Sequence, residues 1–254
     1  MSITEYLYLG VIALISGIAQ ATVGGGGLLQ LPALFNAMPG VAVPIVIGTN
    51  KLALLASGIH NVRRYAFSIE LPWRLIVPAI ISGCIFAFIG SSLLDDVSES
   101  WFKPILLVIM IALAIYTFRN KDLGEKASEP LFTHHQRKVS AVMGAILGFY
   151  QGMFGPATLS FAILGNIRAF GMDFLHAMAS SQVLSTLFNV SALVWFISHG
   201  YFDIKLAAIM TIGTLTGSII GTRIALIGGN RVIKILFIMM LLIEIGRYSW
   251  GLFH

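Results

Sequence analysis

The chain has one cysteine, Cys84, in 254 residues, so it can form neither an internal disulfide nor a thiolate zinc site. Charge is also scarce. Asp, Glu, Lys and Arg make up 11% of the residues, against about 25% in a soluble domain, which excludes a water-soluble globule. The six histidines do not gather with acidic or sulfur ligands: His134 and His135 stand in a polar stretch with no partners at metal spacing. No metal and no cofactor is expected. The net charge of +5 is carried by basic residues in short loops between apolar runs, a topology signal that leaves no nucleic-acid footprint. The glycine-rich "ATVGGGGLLQLP" lacks the Lys-Ser/Thr pair and the preceding strand of a phosphate-binding P-loop.

What fills the chain is apolar sequence, 57% of residues at a mean hydropathy of +0.88. Runs at 41–60, 73–94, 101–118, 173–198, 204–226 and 231–252 each match the roughly 20 residues of one helical span. An all-α polytopic membrane protein is predicted. The first apolar run has no Lys or Arg before it and carries Glu5 instead, so it is expected to be retained and not cleaved as a signal peptide. Segments 5–38 and 139–165 are too long for one upright span. The first is interrupted by Gly24 to Gly27, the second by Gly152, Gly155 and Pro156. Backbone unpaired at membrane depth is tolerated only where protein or a watery cavity covers it, so both breaks should face an interior site.

A displacement of 131 residues places Gly17 on Gly148, Gln20 on Gln151, Gly24 on Gly155, Gly90 on Gly221 and Lys103 on Lys234. Paired broken segments in two halves are a sequence pointer to a transporter's substrate site. The expected organisation is a first repeat over 1–118, a cytoplasmic linker over 119–138 and a second repeat over 139–254. Each repeat would hold a broken re-entrant hairpin and three spans. If each hairpin enters and leaves on one face, 12 Lys and Arg lie inside and 3 outside; if each crosses once, the split is 10 to 5. The positive-inside rule therefore favours repeats of inverted topology with both termini outside.

The candidate site draws on four groups. Gly24, Gly25, Gly26 and Gly27 would expose N–H groups at a half-helix start expected near Leu28, where the dipole's positive end favours an anion. Gly155 and Pro156 do the same before the half-helix expected from Ala157, with Thr158 and Ser160 adding hydroxyls. "GTNK" puts Lys51 about ten residues into a span, a functional-site signal by default, with Thr49 and Asn50 beside it; the alternative is an ion pair with Glu244. Gln20, Gln151 and Asn189 are amides inside apolar runs that could meet an anion or bridge helices, and Gln182 is the neutral counterpart of Lys51. Asp173 is read as an N-cap. Gly213, Gly217 and Gly221, and Gly83 with Gly90, form small-residue ladders suited to close packing within the chain or in a homodimer. Two competing classes are a non-transporting scaffold or anion sensor and an enzyme. Ser57 and His60 stand too close on one helix for a serine and its base.

Taken together, "GGGGLLQLPAL", "GTNKLALLASGIHNVRRY", "GFYQGMFGPATLSF" and "FNVSALVWFISHGYFDIKLA" resemble the sulfite exporter TauE/SafE family of permeases, along essentially the whole chain. The resemblance implies a bacterial inner-membrane carrier of small anions, typically sulfur oxyanions or organosulfur acids. It also implies two departures. Family members aligned here are richer in glycine after "GP" and carry a lysine near Gln182, whereas this chain has Ala157 and Gln182. Its site would hold one lysine, which favours a monoanion or a larger organic anion.

Overall fold

The computed structural model describes residues 3–22, 24, 26–94, 105, 108 and 134–253, with the side chains of Ile3, Leu28 and 229–253 left aside. Among the described residues the fold is helical, without strands. The helices are α1 (Ile3–Thr22), α2 (Gly26–Ala37), α3 (Val43–Ser68), α4 (Trp73–Ser92), α5 (His134–Met153), α6 (Thr158–Phe170), α7 (Phe174–Ser198) and α8 (Ile204–Phe253). Within the described residues, five stretches are long and apolar enough to cross a bilayer: Thr4–Thr22, Val43–Ser68, Trp73–Ser92, Phe174–Ser198 and Ile204–Gly228. Gly25 and the expected span at 101–118, apart from Ile105 and Val108, lie outside the described residues.

Local chemistry explains most boundaries. Pro44 sits in the first turn of α3, where its missing N–H costs nothing. Asp173 caps α7, accepting from the His176 N–H at 2.9 Å and meeting His176 Nδ1 at 2.8 Å. Gly171 ends α6 in the left-handed region, φ +67°, its N–H returning to Ile167 O at 3.0 Å. One boundary differs from expectation. The two runs at 204–226 and 231–252 are joined in a single helix, α8. Gly228 and Gly229 cost about 1 kcal/mol each in a helix but keep their N–H groups, and no proline forces a stop.

The outer surface is apolar, while the interior combines an apolar core with buried polar groups. Leu7, Val11 and Ile15 on α1, and Ile81, Ile85 and Ile89 on α4, form exposed apolar stripes at i, i+4, i+8. Lys51, Gln30, Asn50, Asn61, Gln151 and Gln182 are buried. Lipid takes the apolar faces, and the protein interior must satisfy the polar groups.

Two glycine-lined seams hold the bundle. A Cβ on Gly213 would meet Gly10 O, one on Gly217 Leu14 O and one on Gly221 Ile18 O, so α1 and α8 run side by side in the same direction, with Gly17 against Thr214 O in the same seam. A Cβ on Gly148 would meet Gly83 O, and one on Gly152 would meet Ala87 O, so α5 and α4 do likewise. Small residues let these backbones approach to contact. The contacts exchange between halves: Gly17 with Thr214 answers Gly148 with Gly83, and Gly221 with Ile18 O answers Gly90 with Phe149 O, all at the 131-residue displacement.

Directions follow from contacts. Thr214 donates to Ala53 O at 2.8 Å and Ser218 to Ser57 O at 3.4 Å, so α3 and α8 are parallel. A Cβ on Gly48 would meet Tyr201, and one on Gly58 would meet Thr186, so α3 and α7 are antiparallel. Because α1 and α3 share a direction, α2 between them runs back: Ser16 Oγ donates to Gly26 O ten residues on, closing a helical hairpin.

Candidate functional site

The hairpin breaks have the same backbone geometry. Gly24 and Gly155 both adopt φ +85°, which glycine reaches without the Cβ penalty. Each N–H reaches five residues back, Gly24 to Ala19 O at 2.9 Å and Gly155 to Tyr150 O at 3.2 Å. The second break is further tied by Tyr150 Oη donating to Pro156 O and Thr158 Oγ1 to Gly155 O, both at 2.8 Å. Ala157 follows with φ +65°, the described non-glycine residue in the left-handed region.

The two tips meet. A Cβ on Gly24 would strike Leu159, and one on Gly27 would lie 3.4 Å from Pro156. Between them is a tight cavity of about 30 Å³, enough for a water or two. Gln20, Gly24 and Gly27 line it from the first hairpin; Gln151, Gly155, Pro156, Ala157 and Leu159 from the second. Asn50, Lys51, Leu54 and Gly58 come from α3, and Ser185, Thr186 and Asn189 from α7. The N-terminal ends of α2 and α6 abut it through Gly27 and through Pro156 with Ala157; those helices start at Gly26 and Thr158, beside the expected positions.

Lys51 is the charged residue in this lining and is 2% exposed. Its ammonium donates to Gln151 O, a carbonyl of the last turn of α5, where a cation complements the helix dipole. The Phe196 ring lies 5.9 Å away. Among the described residues no carboxylate is within 4.0 Å of Lys51, and the Glu244 side chain lies outside them. The related contact in the other half is neutral: Gln182 Nε2 donates to Gln20 O at 2.7 Å.

A relay of amides backs the cavity. Asn189 Nδ2 donates to Lys51 O at 3.0 Å, and Gln151 Nε2 faces Asn189 Oδ1 at 3.5 Å. Asn50 Oδ1, Gln151 Oε1 and Gln182 Oε1 are buried without a hydrogen-bond partner.

Four sequence-predicted residues take up other positions. Thr49 donates to Ile45 O at 2.7 Å and accepts from the Asp203 N–H at 2.8 Å, so its hydroxyl ties the α7–α8 turn to α3. Gly26 packs on Ser16 and Gln20, Thr158 is spent on Gly155 O, and Gln182 lies behind the lining on Gln20 O. Leu159, at the second break, was missed, as were Leu54, Gly58, Ser185 and Thr186. The signal for these last four was helical spacing: Leu54 and Gly58 stand three and seven residues after Lys51, and Thr186, Ser185 and Gln182 stand three, four and seven before Asn189.

Comparison with known proteins now decides the family. The sulfite exporter TauE/SafE family matches residues 9–247. The chain belongs to that family. Among its relatives is a "Probable membrane transporter protein" of Haemophilus influenzae, 24% identical over 249 residues, covering 96% of this chain and 94% of the relative. "Probable membrane transporter protein ORF9" of a Sinorhizobium species is 30% identical over 233 residues, covering 92% and 88%. "Probable membrane transporter protein YfcA" of Escherichia coli is 28% identical over 246 residues, covering 92% and 87%. No solved structure matches significantly. This TauE/SafE member is a multi-pass membrane protein of a transporter family.

Proposed function

We propose that the protein is a secondary transporter of small anions in the bacterial inner membrane, working by alternating access around the cavity between the hairpin tips. The observation that carries this reading is Lys51, a buried cation in a cavity flanked by the N-terminal ends of α2 and α6. An ammonium with no carboxylate beside it among the described residues is costly to keep there, and an anion would offset it. Lys51, Asn50, Gln20, Gln151, Asn189, Gly24, Gly27, Gly155 and Pro156 would meet the substrate. Gly25 would join from its place between two of the glycines. The family's name directs attention to sulfur oxyanions and organosulfur acids.

Inverted repeats over 1–118 and 139–254 supply the two access states. Support comes from the helix directions: counterparts α3 and α7 run oppositely, and so do α1 and α5, because α1 and α8 follow α3 while α5 and α4 follow α7, Ser191 of α7 donating to Cys84 O and Trp195 meeting Phe88 four residues on. At about 30 Å³ the cavity is too small for a sulfite-sized ion, which enters only when one half tilts against the other. Ser68→Cys and Ser198→Cys at corresponding helix ends, each in a Cys84→Ser background, should react with an impermeant maleimide from opposite faces. Labelling from one face would refute the inverted arrangement.

The substrate reading is tested by thermal unfolding of the detergent-purified protein against a panel of sulfonates, sulfite, sulfate, carboxylates and chloride. A ligand that binds only the folded state raises its stability by mass action, about 2.7 kcal/mol at a hundredfold excess over Kd. Concentration-dependent stabilisation by one class of anion is expected; a flat response throughout would contradict anion binding.

A further inference from the structure

The cavity presents a fixed acceptor beside its cation. Asn189 must point Nδ2 at Lys51 O, because a carbonyl only accepts. That turns Asn189 Oδ1 toward Gln151, which must answer with Nε2, leaving Gln151 Oε1 buried and unpaired. The relay is anchored on backbone, so the amide orientation is set by the hydrogen bonds themselves. Gln151 is 6% exposed and lines the cavity, and Asn50, 4% exposed, adds a second buried oxygen without a partner, Oδ1. Lys51 meanwhile holds the main-chain oxygen of the same Gln151.

A simple anion fits only half of this arrangement. It satisfies the ammonium and the helix ends, but its oxygens have no proton to offer an orphan acceptor. A bound metal cation is disfavoured by the neighbouring ammonium. A neutral donor leaves the ammonium unbalanced.

We infer that the transported species is a monoanion carrying its own O–H or N–H donor, with its charged oxygens on Lys51 and its donor on Gln151 Oε1. Gln151 is then the residue that sets specificity. This rests on the proposal that the cavity binds an anion and sharpens which anion it takes. A site with a buried orphan acceptor favours the ligand whose hydroxyl pairs it over the analogue without one, which leaves it unpaired.

The probes are ethanesulfonate and 2-hydroxyethanesulfonate, alike in charge and differing by one hydroxyl, with affinity read by thermal shift and calorimetry on the full-length protein. The hydroxylated ion should bind at least tenfold tighter. In Gln151→Met, which keeps length and removes both amide atoms, the ratio of the two affinities should fall toward one. Equal affinities in the unsubstituted protein would overturn the inference while leaving anion binding in place. A preference that survives in Gln151→Met would overturn the role of Gln151. If neither sulfonate binds and the inorganic anions and carboxylates also fail, the anion-binding proposal falls and takes this inference with it. The wild-type ratio decides the substrate class even if Gln151→Met does not fold.

Discussion

The two hairpins share a shape and differ in charge. Gly24 and Gly155 have the same φ, the same five-residue N–H return and the same place against the cavity. Each is approached from the opposite half by a side chain that bonds the carbonyl of the glutamine ending the hairpin's first helix. At Gln20 that side chain is the neutral Gln182; at Gln151 it is the ammonium of Lys51. Backbone geometry is thus duplicated while charge is concentrated on one side. A symmetric frame suits a site that must open to both faces, and an asymmetric charge fixes how the cargo is oriented and how much charge it carries.

The seams test how far the duplication extends, and they should give the largest effects. Gly17→Val and Gly148→Val each push a side chain into a backbone carbonyl that cannot step aside. Overpacking of this kind costs about 1–3 kcal/mol and more where backbone blocks relief. Both variants should lose most folded protein by size-exclusion yield, whereas Gly10→Val, with nothing within 4 Å of its Cβ, should behave as wild type. A mild Gly148→Val beside a lethal Gly17→Val would break the equivalence of the seams.

The charge difference is sharpened by Gln182→Lys, which makes the two approaches alike. With a second cation the site should favour dianions, and the affinity ratio of sulfate to a monovalent sulfonate should rise by about tenfold, or 1.4 kcal/mol. An unchanged ratio in a folded variant would mean that the position behind Gln20 does not set the cavity's potential.

Smaller effects separate the two tips. Gly155→Ala and Gly24→Ala both strain a left-handed residue by about 1–2 kcal/mol. The Gly155 Cβ lies 3.2 Å from Lys51 Nζ, a movable group, while the Gly24 Cβ runs into Leu159. Gly155→Ala should therefore weaken anion binding more than it lowers Tm, and Gly24→Ala the reverse. Matching ratios of the two effects would show that the tips act alike.

Much of this was legible in the sequence because membrane burial simplifies the pattern. Apolar run length gave the helices, and Gly24 and Gly155 gave both breaks, since few residues tolerate such bends. Lys51 stood out because charge is rare in spans. What escaped depended on partners distant in sequence. Thr49 reads as a site hydroxyl until Asp203, 154 residues on, claims it. Ser185 and Thr186 look like any small polar residues until α7 is turned by its contacts with α3. The continuity of α8 through Gly228 and Gly229 could not be read either, because glycine lowers helix propensity without forbidding the helix.

Transport should depend most on Lys51. Purified protein reconstituted in liposomes should exchange internal and external labelled sulfonate, and Lys51→Met, which keeps much of the apolar stem, should cut the exchange rate by tenfold or more at subsaturating substrate while leaving folding intact. That result would tie transport to the buried Lys51 ammonium between the hairpin tips. Wild-type exchange in a folded Lys51→Met protein would contradict it and leave the lysine as a structural partner of the Gln151 carbonyl.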